Sequence, residues 1–218
     1  MPSGSMKQPK QARSQRTRAA LLNALEALLL ERSFEDIGVV EIAEKARLSP
    51  ASIYRRFDKK DGLLRALYDL HVQRVQEWTA QPEITARLEA LSSPETPLRD
   101  FLGGHVRLAV QQLRDLAHLA RPMALYGRLR PQIFGEEAEA YMASAHAGIL
   151  AELEKRRSEI ARRDLDRAAA FLAYFMQSAL NDFVLFKDRT VLPTYALDDD
   201  AFADEITEFA YGYLKQWD

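Results

Sequence analysis

Apolar residues recur at three- and four-residue intervals along almost the whole chain, and this period constrains the fold more than any other feature. Leu21, Leu25, Leu28 and Leu29 lay a stripe along one early segment, and Phe202, Ile206, Phe209, Tyr213 and Trp217 lay another near the far end. That spacing suits a helix buried on one side. The period-two alternation and turn pairs that mark strand hairpins are missing. The sequence therefore predicts an all-α protein of about nine helices.

Breakers divide the pattern. A first helix is expected over 16–32, a short second over 39–46, and a short third from Pro50 to Phe57, with Ser49 as its N-cap and Pro50 in the first helical position. A long fourth runs over 60–79, followed by the linker "SSPETP". A fifth spans 98–119, with Pro122 where it should end or kink. Further helices are expected over 136–157, 165–187 and 200–217, with "DRTVLPTYALDDD" as a loop before the last. The organisation expected is a basic flexible arm over 1–15, a small head over 16–60 and a helical body over 61–218.

A chain of 218 residues can build one large helical domain or a small one joined to a larger. It has no cysteine, which excludes disulfides, thiol nucleophiles and Cys-ligated metal sites and fits a reducing cytoplasm. No apolar run approaches the roughly 18 residues that cross a bilayer, since "AALLNALEALLL" is interrupted by Asn23 and Glu26. The basic N-terminus lacks the apolar stretch and cleavage site of a signal peptide. Charge is unevenly placed: residues 1–60 hold 12 Lys/Arg against 7 Asp/Glu, residues 61–218 hold 18 against 25. A basic head on an acidic body suits a protein that approaches a polyanion by one end.

Two short helices joined by a turn of a few residues form a helix-turn-helix, whose second helix can enter the major groove. Here Ile42, Ala43 and Ala46 face Ile53 and Phe57, and Leu48 fills the corner. Burying that set presents Pro50, Ala51, Tyr54 and Arg55 outward, because 50/54 and 51/55 are i,i+4 pairs. Small residues at Ala51 and Ser52 admit close approach to base edges. Arg55 and Arg56 add charge, and the Tyr54 hydroxyl can donate to phosphate. Lys60 brings a cation to the start of the fourth helix. Among the arm's cations, Arg16 and Arg18 stand closest to this unit.

Over about Arg18 to Leu67, the pattern "F34-x7-I42-A43-x2-A46-x-L48-S49-x3-I53-Y54-R55-x-F57-x2-K60-x2-L63" resembles the tetracycline-repressor (TetR-like) family of bacterial transcriptional regulators. The chain departs from that family at three places. Ile37-Gly38 stands where the family has a phosphate-touching Thr, so Gly38 offers only its N–H; Arg47 stands where the family has a turn Gly; Arg56 stands where His is common. Arg47 is either a further phosphate contact or merely an exposed cation.

The resemblance implies a homodimer that binds a double-stranded DNA operator and a small-molecule effector. Its dimer interface would fall on the last two helices, at Phe175, Ala179, Phe183, Phe186, Phe202, Ile206, Phe209 and Tyr213. A ligand cavity is implied in the body, and the polar residues set in apolar runs that could line it are His105, Tyr126, Tyr141, His146, Tyr174 and Asn181. The aromatic content points weakly to an apolar or aromatic effector. Gly103-Gly104 within a helix implies close helix contact, a kink or a pocket wall.

No enzyme is expected. His71, His105, His118 and His146 form no HExxH pair, Asp115 and His118 lack the second motif of a di-iron bundle, and neither a nucleophile elbow nor a phosphate-cradling Gly loop occurs. No catalytic residue, metal or cofactor is assigned. Repression is favoured; activation, ligand-independent DNA binding and an all-helical interaction protein are the alternatives.

Overall fold

In the computed structural model, which describes residues 8–55, 57, 59–187 and 197–216, every long element is a helix and no strand occurs among the described residues. Among the described residues the ten α-helices are α1 (Gln8–Leu29), α2 (Val39–Lys45), α3 (Pro50–Tyr54), α4 (Lys59–Thr79), α5 (Pro82–Leu91), α6 (Leu98–Asp115), α7 (Ala117–Leu129), α8 (Gly135–Lys155), α9 (Leu165–Leu180) and α10 (Asp199–Lys215). Trp217 and most of the "DRTVLPTYALDDD" segment lie outside the described residues.

Two compact units result: Met1–Gln73 with His118–Ile133, and Arg74–Ala117 with Phe134–Asp218. They partition the chain differently from the expected 16–60 and 61–218, because α4 and the α6–α7 region are each divided between them.

The first unit is the head. Leu21, Leu25, Leu28 and Leu29 of α1 are all buried, as their spacing requires, together with Ile42, Ala43, Ile53, Leu63, Leu64 and Leu67. Gly62 in the first turn of α4 lies close to Phe57, whose backbone would stand 3.2 Å from an added Cβ. α1 begins at Gln8 rather than Arg16, so residues 8–15 of the expected flexible arm are helical. The Thr17 hydroxyl donates to the Arg13 carbonyl within that extension.

The expected fifth helix is instead two. The break falls at Leu116 (φ −107°, ψ 16°), and Pro122 sits buried inside α7 rather than ending a helix. A proline removes one intrahelical bond. Leu119 and Ala120 are buried beside Pro122, and this burial holds the helix together around it.

The second unit is the body. Its core joins Leu98, Phe101 and Leu102 of α6 to Leu153 of α8, Leu172 of α9 and Leu214 of α10. A satellite cluster packs Trp78 against Ile84 of α5 and Leu108 of α6, with the Trp78 indole donating to Asp115 at 2.9 Å. Helix α5 was not expected from the sequence, although Pro82 in its first turn and Ile84, Leu88 and Leu91 on one face mark it.

α6 and α10 are joined by Arg99 to Glu208, Arg107 to Asp204 and Arg114 to Asp199, the last at 2.6 Å. Between these pairs lie the two glycines. A Cβ on Gly104 would come within 2.3 Å of a Leu91 methyl on α5, whereas one on Gly103 would meet Arg107 and Thr207 at 3.0 and 3.4 Å. Close helix contact is therefore the reason for the pair. Alanine gains about 1 kcal/mol of helix propensity over glycine, while overpacking costs about 1–3 kcal/mol. Gly104→Ala is expected to destabilise by about 1 kcal/mol net and Gly103→Ala to be nearly neutral. Urea unfolding of the two variants checks this, and equal effects would remove the Leu91 contact as the cause.

Past Leu180, α9 widens into a π-helical turn, Asn181–Leu185. Phe183, Val184 and Leu185 are consecutive and all buried, which the 3.6 period does not allow on one face. Arg114 donates to the Val184 carbonyl at 2.9 Å inside this turn. The segment Leu165–Leu185 is long and apolar enough to cross a membrane by length and composition alone, against the expectation from sequence. It owes that composition to its packing on α8 and α10, with 44% of the apolar window buried in the protein's own interior.

Loop order in the body depends on Arg156, which is fully buried. Its Nε donates to the Thr96 carbonyl at 3.0 Å, Nη1 to the Glu152 carbonyl and carboxylate, and Nη2 to the Leu91 and Ser93 carbonyls at 2.7 and 2.8 Å. The guanidinium also lies 4.1 Å over the Phe101 ring. Three residues on, the Glu159 carboxylate accepts from the Leu98 N–H at 3.0 Å and so caps α6.

Candidate nucleic-acid interface

The head's two short helices meet through a turn whose hydrogen bonds explain its sharpness. Leu48 N–H donates to the Ala43 carbonyl at 2.8 Å, and Arg47 N–H to the Glu44 carbonyl at 2.9 Å. This pair of bonds is the Schellman arrangement, which needs a left-handed residue between them. Arg47 is that residue, at φ 56°, the single positive-φ non-glycine among the described residues. An L side chain there costs about 1–2 kcal/mol. Arg47→Gly is therefore expected to stabilise the protein by about 1 kcal/mol, read by urea unfolding. The same variant separates the two readings of Arg47: a lost phosphate contact lowers the salt slope of DNA binding by about one, and an unchanged slope leaves Arg47 merely exposed.

Ser49 begins α3 with extended backbone (φ −76°, ψ 147°). Its hydroxyl does not cap the helix as expected but lies 3.1 Å from the Ser52 hydroxyl. Ser52 is 7% exposed, so it belongs to the inner side of α3 and not to the outward face where the sequence reading put it. A hydroxyl can be buried there because Ser49 and Arg55 both engage it. Ile53 and Phe57 anchor the same side, leaving Ala51, Tyr54 and Arg55 exposed and Pro50 half-buried. Tyr54 is the most open of the head's aromatics, at 62%.

Around α3, Gly38 caps α2 in extended backbone with open space where a side chain would be. Arg16 is exposed on α1. Arg18 forms a 2.6 Å ion pair with Asp69 of α4, a partner that competes with phosphate for its guanidinium. Arg32 pairs with Glu41, and its hydrogen bond holds that carboxyl below the ordinary range. Lys60 is the second residue of α4; its side chain and the whole of Arg56 lie outside the described residues.

The six residues expected to line a ligand cavity are not brought together. Tyr126 belongs to the head unit, where it meets Phe34 edge-on at 5.5 Å. Tyr141 and Tyr174 are exposed, at 57% and 67%. His146 ties α8 to the start of α9 through the Asp166 carboxylate, 3.1 Å away. His105 lies against Phe101 with Nδ1 3.0 Å from the Phe101 carbonyl, and burial lowers its pKa. Asn181 opens the π-helical turn.

The expected interface residues divide into two kinds. Phe183 and Ile206 are buried within the protomer, while Phe209 is 45% exposed. Phe175, Ala179, Phe186, Phe202 and Tyr213 are half-buried. Phe175 stacks on Phe209 at 4.3 Å, and Phe171 meets Tyr213 at a tilt, 4.9 Å between centroids. Together with the exposed Phe171 and Tyr174, these rings form an aromatic face on α9 and α10.

Fold and head together define a class: an all-α protein with an N-terminal helix-turn-helix unit. Residues 21–67 match the family model described as bacterial regulatory proteins, tetR family. The likeness to that family is thus carried by the head, residues 21–67. The chain is 40% identical over 55 residues to the HTH-type transcriptional regulator YvkB of Bacillus subtilis (strain 168), a match spanning 25% of this chain and 29% of that protein. Two solved structures share the fold. One is a regulatory protein of the tetR family from Rhodococcus RHA1, with TM-score 0.59, 21% identity and 94% and 98% of the two chains covered. The other is NalD, the secondary repressor of the MexAB-OprM multidrug efflux pump in Pseudomonas aeruginosa, with TM-score 0.56, 21% identity and 93% and 98% covered.

Proposed function

We propose that the protein is a sequence-specific, ligand-responsive transcriptional regulator, a cytoplasmic homodimer that represses by occupying its operator and releases it when a small molecule binds the body. The observation that carries this reading is the outward side of α3. Ala51, Tyr54 and Arg55 stand exposed on a helix fixed from behind by Ile53 and Phe57. Ala51 lets the backbone approach base edges, Arg55 supplies a fork suited to guanine, and Tyr54 reaches a phosphate oxygen.

The aromatic face of α9 and α10 supports dimerisation, since exposed rings at this density mark an interface. A dimer presents two α3 helices to half-sites about 34 Å apart. NalD, of the same fold, is a repressor of an efflux pump, which favours repression here. The effector must bind the released state more tightly than the DNA-bound one, because equal affinity shifts nothing.

Selection of bound fragments from the source genome tests the whole reading: a recovered palindrome supports it, and an absence of sequence preference overturns it. On the selected site, Lys60→Ala is expected to weaken all DNA binding and flatten the salt dependence by about one unit of slope. Ala51 and Arg55 variants are expected to change which operator is preferred. Uniform loss across operators would take base reading away from them.

A further inference from the structure

Ser52 is 7% exposed, yet its hydroxyl accepts a hydrogen bond from Nη2 of Arg55, an exposed residue on the outward side of α3, at 3.4 Å. We infer that Ser52 is a positioning residue: without touching a base, it directs the Arg55 guanidinium toward the end of α3 that meets base edges, and so sets how sharply Arg55 discriminates between base pairs. The inference rests on α3 reading DNA, as proposed above.

Ser52 is a fixed acceptor. Its N–H donates to the Ser49 carbonyl at 2.8 Å, which sets the first turn of α3, and its hydroxyl oxygen lies 3.1 Å from that of Ser49. The next residue, Ile53, is 1% exposed and roots the same turn in the core of the head. A serine hydroxyl has one proton and two lone pairs. It can therefore engage Ser49 in either direction and still accept from Arg55.

Arg55 follows three residues later, on the same side of the helix, in helical backbone (φ −74°, ψ −19°). Long side chains on a helix lean toward its N-terminus, over the preceding turn. That is the direction of Ser52, and a recognition helix contacts base edges with its N-terminal residues. Ala51, one turn before Arg55 and exposed, puts only a methyl group in the way. Nη2 carries two hydrogens, so the bond to Ser52 takes one and leaves the other, with Nη1, as a two-donor fork for guanine.

At 3.4 Å the bond is long for N–H···O, and its own strength is small. Its effect lies in the rotamers. An untethered arginine spreads over many of them, and ordering such a side chain on binding lowers affinity by about three- to tenfold. The tether to Ser52 restricts that spread before DNA arrives.

The experiment uses the full-length protein, the operator recovered by fragment selection and a set of operators with each base pair replaced in turn. Arg55→Ala identifies the position that Arg55 reads, where discrimination should fall about tenfold or more. Ser52→Ala is expected to lower discrimination about three- to fivefold at that same position and at no other. The salt slope should stay unchanged, because no charge is lost. Ser52→Cys keeps a similar volume with only a weak acceptor and is expected to repeat the loss, which decides the matter if alanine loosens α3. In the Arg55→Ala background, Ser52→Ala should change nothing further at that position. Circular dichroism confirms that each variant is folded.

Two results overturn the positioning role alone: wild-type discrimination at the Arg55 position in both Ser52 variants, or a loss that spreads over all positions and persists without Arg55. The second would make Ser52 a packing residue of α3. Failure to recover an operator, or an Arg55→Ala variant with no positional effect, overturns base reading itself and the role of Ser52 with it.

Discussion

Arg156→Met is expected to destabilise the protein by about 4 kcal/mol, the range for removing one partner of a buried, hydrogen-bonded ion pair. The side chain is fully buried, and all five of its N–H groups are spent on five acceptors. Three of those are carbonyls of the α5–α6 connection, Leu91, Ser93 and Thr96, which no helix ladder satisfies. Methionine fills a similar volume and keeps contact with Phe101, so the loss isolates the polar network from packing. Burial alone would raise the Glu152 pKa. Hydrogen bonds from Lys155 and Arg156 outweigh it and hold that carboxyl below its usual range. Removing Arg156 leaves the Glu152 carboxylate its ion pair with Lys155 at 2.7 Å. Lysine at 156 is expected to recover little, since one ammonium has three donors and cannot span five acceptors. Urea unfolding of the two variants reads both costs. A loss under about 1 kcal/mol for Arg156→Met would mean that water satisfies the carbonyls as well as the guanidinium does.

That network also shows where sequence reading stops. The head was legible because each of its rules is local. Ile42, Ala43, Ile53 and Phe57 repeat at helical spacing, and Pro50 announces α3. Arg47 marked the turn only as a departure from the family's glycine; its φ of 56° supplies the physical content. Ser52 was misplaced because a small polar residue on a short helix gives no sign of which side it takes. Its partners Ser49 and Arg55 decide that. α5 was not among the expected helices, although Pro82 and the Ile84–Leu88–Leu91 spacing mark it; the expected linker was "SSPETP" alone, which begins where α5 ends. Arg156 carried no local signal at all. It sits in "EKRRSE", a run that reads as solvated, and the three loop carbonyls it holds are about 60 residues away in sequence. The polar residues proposed for a ligand cavity failed to converge for the same reason, because convergence depends on tertiary placement and not on spacing.

The other large effect expected is on acid stability, through His71 of α4. Its Nδ1 is buried and, among the described residues, has no hydrogen-bond partner. Burial first, and the charge of nearby His118 second, push its pKa down to about 4. His118 in turn lies 3.7 Å from Glu26 of α1, so a carboxylate attends His118 and the orphan nitrogen belongs to His71. An unfolded chain binds the His71 proton near pH 6.5, whereas the folded one holds it off until about pH 4. The unfolded state therefore binds more protons throughout that window, and stability rises with pH across it. The contribution is fully present above about pH 6.5 and is lost as pH falls toward 4, by about 3 kcal/mol in all. His71→Phe keeps a buried ring of similar size and removes the titrating group. Its stability at pH 7 is expected to match or slightly exceed that of the wild type, because an unsatisfied buried polar atom is gone. The decisive measurement is the difference between the two proteins in urea unfolding from pH 7 to pH 4, which cancels the carboxylates common to both. The gap should widen steadily in favour of the variant below pH 6.5. Parallel curves would show that water reaches His71 in the folded head and that its burial does not oppose protonation.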